Sequence, residues 1–200
     1  ALYPKKDSRA WGTGFTGGIA PTVSLPVRHA AINLGAPGWR QDEPRRLWLP
    51  YPARGETGVV GAWLPKYQHK PEQFYYVPAE LLPIRGTDQP WLYTSGCQAE
   101  TDLKFRLIEQ GGAAADYTVR LHFAEPEDLQ PGERVFDVRL QDEPVLKGFD
   151  IVQAAGAPRR AVVKEFAGVR VTGELSVGLR TTAAPGREPI LCAIEAVRER

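Results

Sequence analysis

From about residue 102 onward the chain alternates apolar and polar residues in short segments, each ending at a turn signal. In "DLKFRLI" Leu103, Phe105 and Leu107 share one face, and in "YTVRLHF" Tyr117, Val119, Leu121 and Phe123 do so while Thr118, Arg120 and His122 point the other way. "RVFDVRL" offers Phe136, Val138 and Leu140, and "ELSVGLR" offers Leu175, Val177 and Leu179. "PILCAIEAV" is apolar on both sides, as expected of a strand between sheets or beneath a layer of loops. Gly and Pro punctuate the reversals in "EQGGAAAD", "LQPGE", "VTGE" and "APGRE". The spacing predicts an all-β protein, an antiparallel β-sandwich or jelly roll, with a single helical turn at most around "VPAELLP".

The first hundred residues differ, holding most of the prolines and all five tryptophans: Trp11, Trp39, Trp48, Trp63 and Trp91. Strand candidates there ("HAAINL", "RRLWL", "QFYYV", "PWLYT") are short and separated by long loops. Residues 1–26, rich in Gly, Pro, Ser and Thr, read as an arm or linker, and 27–200 as one sandwich domain whose long loops gather at one end. The N-terminus, without Met or an apolar leader, reads as a processed end or a cut from a longer protein.

Charge narrows the partners. The 25 basic and 24 acidic residues nearly cancel and form no long run of one sign, so neither a nucleic-acid arm nor a polyanion partner is expected. The apolar runs fall short of the roughly 20 residues that cross a bilayer, so no membrane partner is expected either. Cys97 and Cys192 are compatible with one disulfide or with two buried thiols. Three scattered histidines and no CxxC pair give a zinc site little support.

The acidic stretch "AEPEDLQPGE" raises a sharper question. Glycoside hydrolysis needs two carboxylates about 5 to 9 Å apart across the sugar. Pro126, Pro131 and Gly132, however, mark a surface hairpin loop in which acids are simply solvated. A structural calcium held by Glu125, Glu127, Asp128 and Glu133 is chemically permissible, since hard cations take carboxylate oxygens, but the spacing is not that of an EF-hand. No metal or other cofactor is expected. There is no GxSxG elbow, neither cysteine lies in an activating motif, and "GTGFTGG" lacks the preceding strand and closing Lys-Ser or Lys-Thr of a phosphate loop. The chain is expected not to be an enzyme.

Aromatic residues point elsewhere. Pyranose rings stack their CH faces on Trp and Tyr while Asp, Glu, Gln or Arg bond the hydroxyls. Trp39, Trp48, Tyr51, Trp63, Tyr67, Trp91 and Tyr93 lie in or beside loops with such polar partners, as in "GWRQDE". For each ring the alternative is a core or loop anchor.

The string "VRLHFAE", then "RVFDVRLQDEPVLKGFDIV" and a closing "PILCAIEAV", resembles the malectin and malectin-like carbohydrate-binding modules. "INLGAPGWRQDE" and "WLYTSG" extend the resemblance over roughly residues 28–198. It implies a jelly-roll-like sandwich of the galactose-binding type, no catalysis, and recognition of short glucose oligosaccharides by loops at one end. Bacterial versions are often appended to larger secreted or periplasmic proteins, so a bacterial accessory module in a secreted, periplasmic or cell-surface protein is the implied setting. Position by position the ligand residues differ: the family's aromatic pair after "FAE" falls on Glu127 and Asp128, its tyrosine after "LYxT" on Gln98, and its acid before "PxxCA" on Arg187, with Glu188 beside it. Trp48 or a neighbour matches the aromatic of the early loop.

The resulting expectation is a carbohydrate-binding module with Trp39, Trp48, Tyr51 and Tyr93 stacking on the sugar and Asp42, Gln98, Glu127, Asp128, Arg187 and Glu188 bonding its hydroxyls. The alternative is a structural or docking module whose aromatic loops, with the 1–26 arm, pack against a neighbouring domain or subunit.

Overall fold

A computed structural model describes residues 25–43, 45–52, 73–182 and 186–200. The strands run β1 (His29–Leu34), β2 (Arg40–Gln41), β3 (Leu47–Tyr51), β4 (Phe74–Tyr76), β5 (Ser95–Gln98), β6 (Thr101–Arg106), β7 (Ala115–Phe123), β8 (Val135–Leu140) and β9 (Glu143–Asp150). A short helix α1 (Ile151–Ala155) follows, then β10 (Val162–Val171), β11 (Glu174–Thr181), β12 (Ile190–Leu191) and β13 (Ala193–Arg198).

They form a six-stranded sheet in the order β10-β7-β13-β1-β3-β2, a four-stranded sheet β6-β11-β8-β9 and a three-stranded sheet β12-β5-β4. Pairing is antiparallel except between β1 and β3. The two larger sheets face each other, because the period-two apolar sets of β7, β8 and β11 all point inward. Phe123 of β7 meets Phe149 of β9 with ring centroids 4.9 Å apart, and Tyr51 of β3 meets Phe105 of β6 at 5.4 Å. Each such ring or Leu buried from water contributes about 1.5–3 kcal/mol. The chain is an all-β sandwich, as its alternation predicts.

One local expectation changes and a neighbouring one holds. "PWLYT" is not a strand: Pro90–Tyr93 is a 3-10 turn, with Leu92 N–H donating to the Gln89 carbonyl. Proline at the start supplies the required φ, and the Thr94 hydroxyl bonds the Trp91 carbonyl to close it. "VPAELLP" makes one turn, with Leu81 N–H on the Pro78 carbonyl. Of the proposed arm, residues 1–24 lie outside the described residues; Val27 is buried, and its carbonyl accepts the Tyr117 hydroxyl at 2.7 Å.

Cys97 and Cys192 are two free, fully buried thiols, so of the two alternatives the structure selects the unpaired one. Among the described residues no helix is long and apolar enough to cross a membrane.

Candidate functional site

The loop after β7 is built around a buried charge. Alternation along β7 sets Tyr117, Val119, Leu121 and Phe123 inward, and Glu125, two residues on, continues that phase and is fully buried. Arg134 stands two residues before the inward Phe136 and is buried by the same logic. The two meet: Arg134 Nε donates to Glu125 Oε2 at 2.7 Å, and Glu127 N–H donates to Glu125 Oε1 at 3.0 Å. Burial pushes the Glu125 carboxyl up, opposed by the Arg134 guanidinium and the Glu127 amide.

Around this pair the rim is stitched by further ions. Arg134 Nη2 donates to Glu127 Oε1 at 2.9 Å, and Arg187 Nη1 donates to Glu127 Oε2, also at 2.9 Å. Arg134 Nη1 donates to the Glu188 carbonyl. Arg159 Nη2 bonds Asp128 at 2.7 Å, while its backbone N–H donates to the Glu125 carbonyl. Glu133 accepts from Gln130 N–H at 2.6 Å, and Asp150 joins Gly132 N–H to the start of α1 through Gln153 N–H. Gln98 closes the group on the other side, since it pairs with Ile190 immediately after Glu188 and Pro189.

Among the sequence candidates, then, Glu127, Asp128, Arg187, Glu188 and Gln98 come together at one rim. The four acids considered for calcium are each committed, Glu125, Glu127 and Asp128 to arginines and Glu133 to a backbone amide. Among the described residues no group of three or more His, Cys, Asp or Glu side chains is placed to hold a metal ion.

The aromatic candidates go elsewhere, and here the stacking expectation must be corrected for three of four. Trp48 is 1% exposed, Tyr51 2% and Tyr93 2%, so none offers a ring face to a ligand from solvent. Tyr51 packs edge-on to Phe74 and Phe105 in the core. Trp48 points to the outer face of the six-stranded sheet, but the Pro90–Tyr93 turn covers that face, with Trp91 6.3 Å away. Asp42 is likewise buried and serves this second layer, accepting from Trp48 Nε1 at 3.1 Å and Arg46 Nε at 2.7 Å. Of the four, Trp39, 47% exposed, keeps its ring at the surface. Trp63 and Tyr67 lie outside the described residues.

The same outer face holds a network that no motif announced. Glu195, 2% exposed, accepts from Arg46 at 2.9 Å and Arg120 at 3.0 Å and bonds His29 Nε2 at 2.7 Å. Burial pushes its carboxyl up, but His29, Arg120 and Arg46 pull harder, and it settles at about 2. Arg134 was legible in hindsight as a polar residue in apolar phase; Arg159, Arg46 and Glu195 carried no local signal.

A family model described as the malectin domain matches residues 63–188. Over 94 residues the chain is 39% identical to a probable LRR receptor-like serine/threonine-protein kinase of Arabidopsis thaliana, covering 40% of this chain and 9% of the kinase. A second such kinase of the same plant is 32% identical over 117 residues, covering 52% and 11%. The chain therefore spans about a tenth of the length of the curated relatives it matches, and it does not cover their kinase catalytic domain. Both are plant proteins, which gives the bacterial setting expected from the sequence no support.

Among solved structures, the extracellular domain of ANXUR1 from Arabidopsis thaliana aligns with a TM-score of 0.63 at 14% identity, over 84% of this chain and 47% of that one. The plant peptide RALF23 in complex with FER and LLG2 gives 0.60 at 15% identity, over 84% and 48%. The β-glucuronidase of Bacteroides uniformis gives 0.63 at 16%, over 86% of this chain and 18% of that one. At these identities the likeness shows the fold alone.

Proposed function

Because the chain belongs to the malectin domain family, a family of non-catalytic modules, we propose that it is a recognition module of an extracellular or cell-surface protein that binds an oligo- or polysaccharide through polar groups at its loop-bearing rim. The observation that carries this reading is Glu127, whose two oxygens are held by Arg134 and Arg187 in one fixed place. Preset carboxylates and guanidiniums can accept from and donate to sugar hydroxyls without first being ordered. Asp128, Glu188 and Gln98 lie on the same rim, and Trp39 is the stacking candidate whose ring is still exposed. Such a site works by hydrogen bonding rather than by the aromatic pair implied by the family resemblance.

A glycan array followed by affinity electrophoresis on soluble polysaccharides tests it, with wild type, Glu127→Gln, Arg187→Ala and Trp39→Ala. Retardation by at least one glycan is expected, weakened roughly tenfold by Glu127→Gln, which removes a charged acceptor. No glycan bound, or binding untouched by all three variants, refutes the rim site.

The second reading, a module docking on a neighbouring domain or subunit, is favoured by the exposed apolar side chains Trp39, Tyr76 and Leu81; FER, of similar fold, is itself found in complex with a peptide and LLG2. Hydrogen–deuterium exchange on a longer form of the protein would then find the segments around Trp39 and Leu81 protected relative to the isolated chain.

A further inference from the structure

The outer face of the four-stranded sheet carries a cavity of about 180 Å³ lined by Asp102, Arg139, Asp142, Ser176, Gly178 and Arg180. Its origin is one glycine. Gly178 pairs with Asp102 on β6 and with Arg139 on β8, so the three stand in a row across adjacent strands. Its neighbours Val177 and Leu179 point into the core, which turns the Gly178 position outward, where a missing side chain leaves a notch. A Cβ there would come within 2.9 Å of Asp102 Oδ1. Asp102 is held against Arg180 by contacts of 2.7 and 2.6 Å, so the wall is fixed.

The far wall is a two-residue hairpin turn with an unusual backbone. Gln141 and Asp142 both have positive φ, 49° and 67°, as a type I′ turn requires, but neither is glycine. Holding such residues there costs of the order that functional sites store as strain. The turn is clamped from behind: the Gln141 side-chain amide donates to the Arg170 and Glu174 carbonyls, and its oxygen accepts Ser176 N–H at 2.7 Å. Arg139 is fixed too, donating from Nε and Nη2 to the Asp142 carbonyl. Three of the residues lining the notch keep a polar group that no described residue bonds: the Asp142 carboxylate, Arg139 Nη1 and the Ser176 hydroxyl.

We propose that this notch is a binding subsite for one neutral, polyhydroxylated ring, such as a single sugar residue. Two acids and two arginines leave it without net charge, which disfavours an anion or a cation. An acceptor pair, a fixed donor and a hydroxyl that does either match vicinal hydroxyls. The volume is below the roughly 300–1,000 Å³ of sites for drug-sized ligands, so one small ring is the scale it fits. Arg139 lies four residues along β8 from Val135, about 13 Å from the loop rim, so the subsite is separate from the rim and does not rest on the function proposed there.

Two-dimensional amide NMR of the full chain, titrated with glucose, galactose and mannose and in parallel with sodium glucuronate and inorganic phosphate, tests the proposal. At least one neutral sugar should give saturable shifts at the Gly178, Ser176 and Asp142 amides. Asp142→Asn, which keeps a residue tolerant of positive φ, and Arg139→Gln should each weaken this binding roughly tenfold or abolish it. Glu127→Gln and Arg187→Ala should leave it unchanged whether or not the rim binds a glycan. No saturable shift with any of the three sugars, shifts with glucuronate or phosphate alone, or sugar shifts that neither cavity variant alters would overturn the proposal.

Discussion

His122 makes the stability of this domain depend on pH in a window that few other groups share. It sits under the Pro90–Tyr93 turn, with Nδ1 3.0 Å from the Tyr93 hydroxyl and its ring edge-on to Trp48 at 5.4 Å. Among the described residues Nε2 has no partner. Burial pushes its pKa down to about 4, with Glu195 opposing the shift and Arg120 and Arg46 adding to it. Below pH 6.5 the unfolded chain takes up a proton at this position, while the folded form refuses it until about pH 4. Stability therefore falls as pH falls, by about 1.4 kcal/mol per unit. Over the whole window the loss approaches about 3 kcal/mol, a sizeable part of the stability of an ordinary domain. Glu195 acts in the same direction but only below its unfolded value of 4.5. Glu125, whose carboxyl is raised, acts oppositely, so the comparison between wild type and a His122 variant isolates the histidine. The assay is urea unfolding followed by tryptophan fluorescence between pH 7.5 and 4.5, on wild type and His122→Gln. Gln can keep a bond to Tyr93 and does not titrate. The variant should be less stable at pH 7.5 yet lose less on acidification, the gap closing by about 2–3 kcal/mol at pH 4.5. Parallel curves for the two proteins would refute the reasoning.

Three further outcomes follow from packing and charge. Arg134→Met leaves the Glu125 carboxylate buried without its cation and should cost about 3–5 kcal/mol in urea unfolding, whereas Glu125→Leu with Arg134→Met should recover most of it. Gly96→Ala drives a Cβ to within 2.9 Å of the Leu191 carbonyl between β5 and β12 and should lower the Tm by several degrees in calorimetry. Burial pushes the Cys97 and Cys192 thiols up to about 12, so at pH 8 iodoacetamide should add no mass to either thiol in the native protein and should label both after unfolding.

Much of the fold was legible because a strand's side chains alternate with period two wherever one face is buried. The sets Tyr117–Phe123, Phe136–Leu140 and Leu175–Leu179 went inward as their spacing required. The same rule, followed two residues past the strand ends, would have found Glu125 and Arg134 as a buried pair, since both keep the apolar phase. The family's charged substitutions at Glu127 and Arg187 were visible as residues, but not their joining through one carboxylate, because nothing local links positions 60 residues apart. The aromatic candidates were harder. Alternation puts Trp48 on the outer face of its sheet, and an outer face reads as solvent.

The sequence by itself determined which positions of its alternating segments share a face and where those segments reverse, because those depend on backbone period and turn chemistry alone. The tertiary structure decided which outer faces are covered, placing the stacking candidates Trp48 and Tyr93, with the outward-pointing His122, in a second buried layer. It also decided which cations meet Glu125 and Glu195. Burial and ion pairing are set by what the rest of the chain lays over a residue, and that information is spread over contacts far apart along the polypeptide.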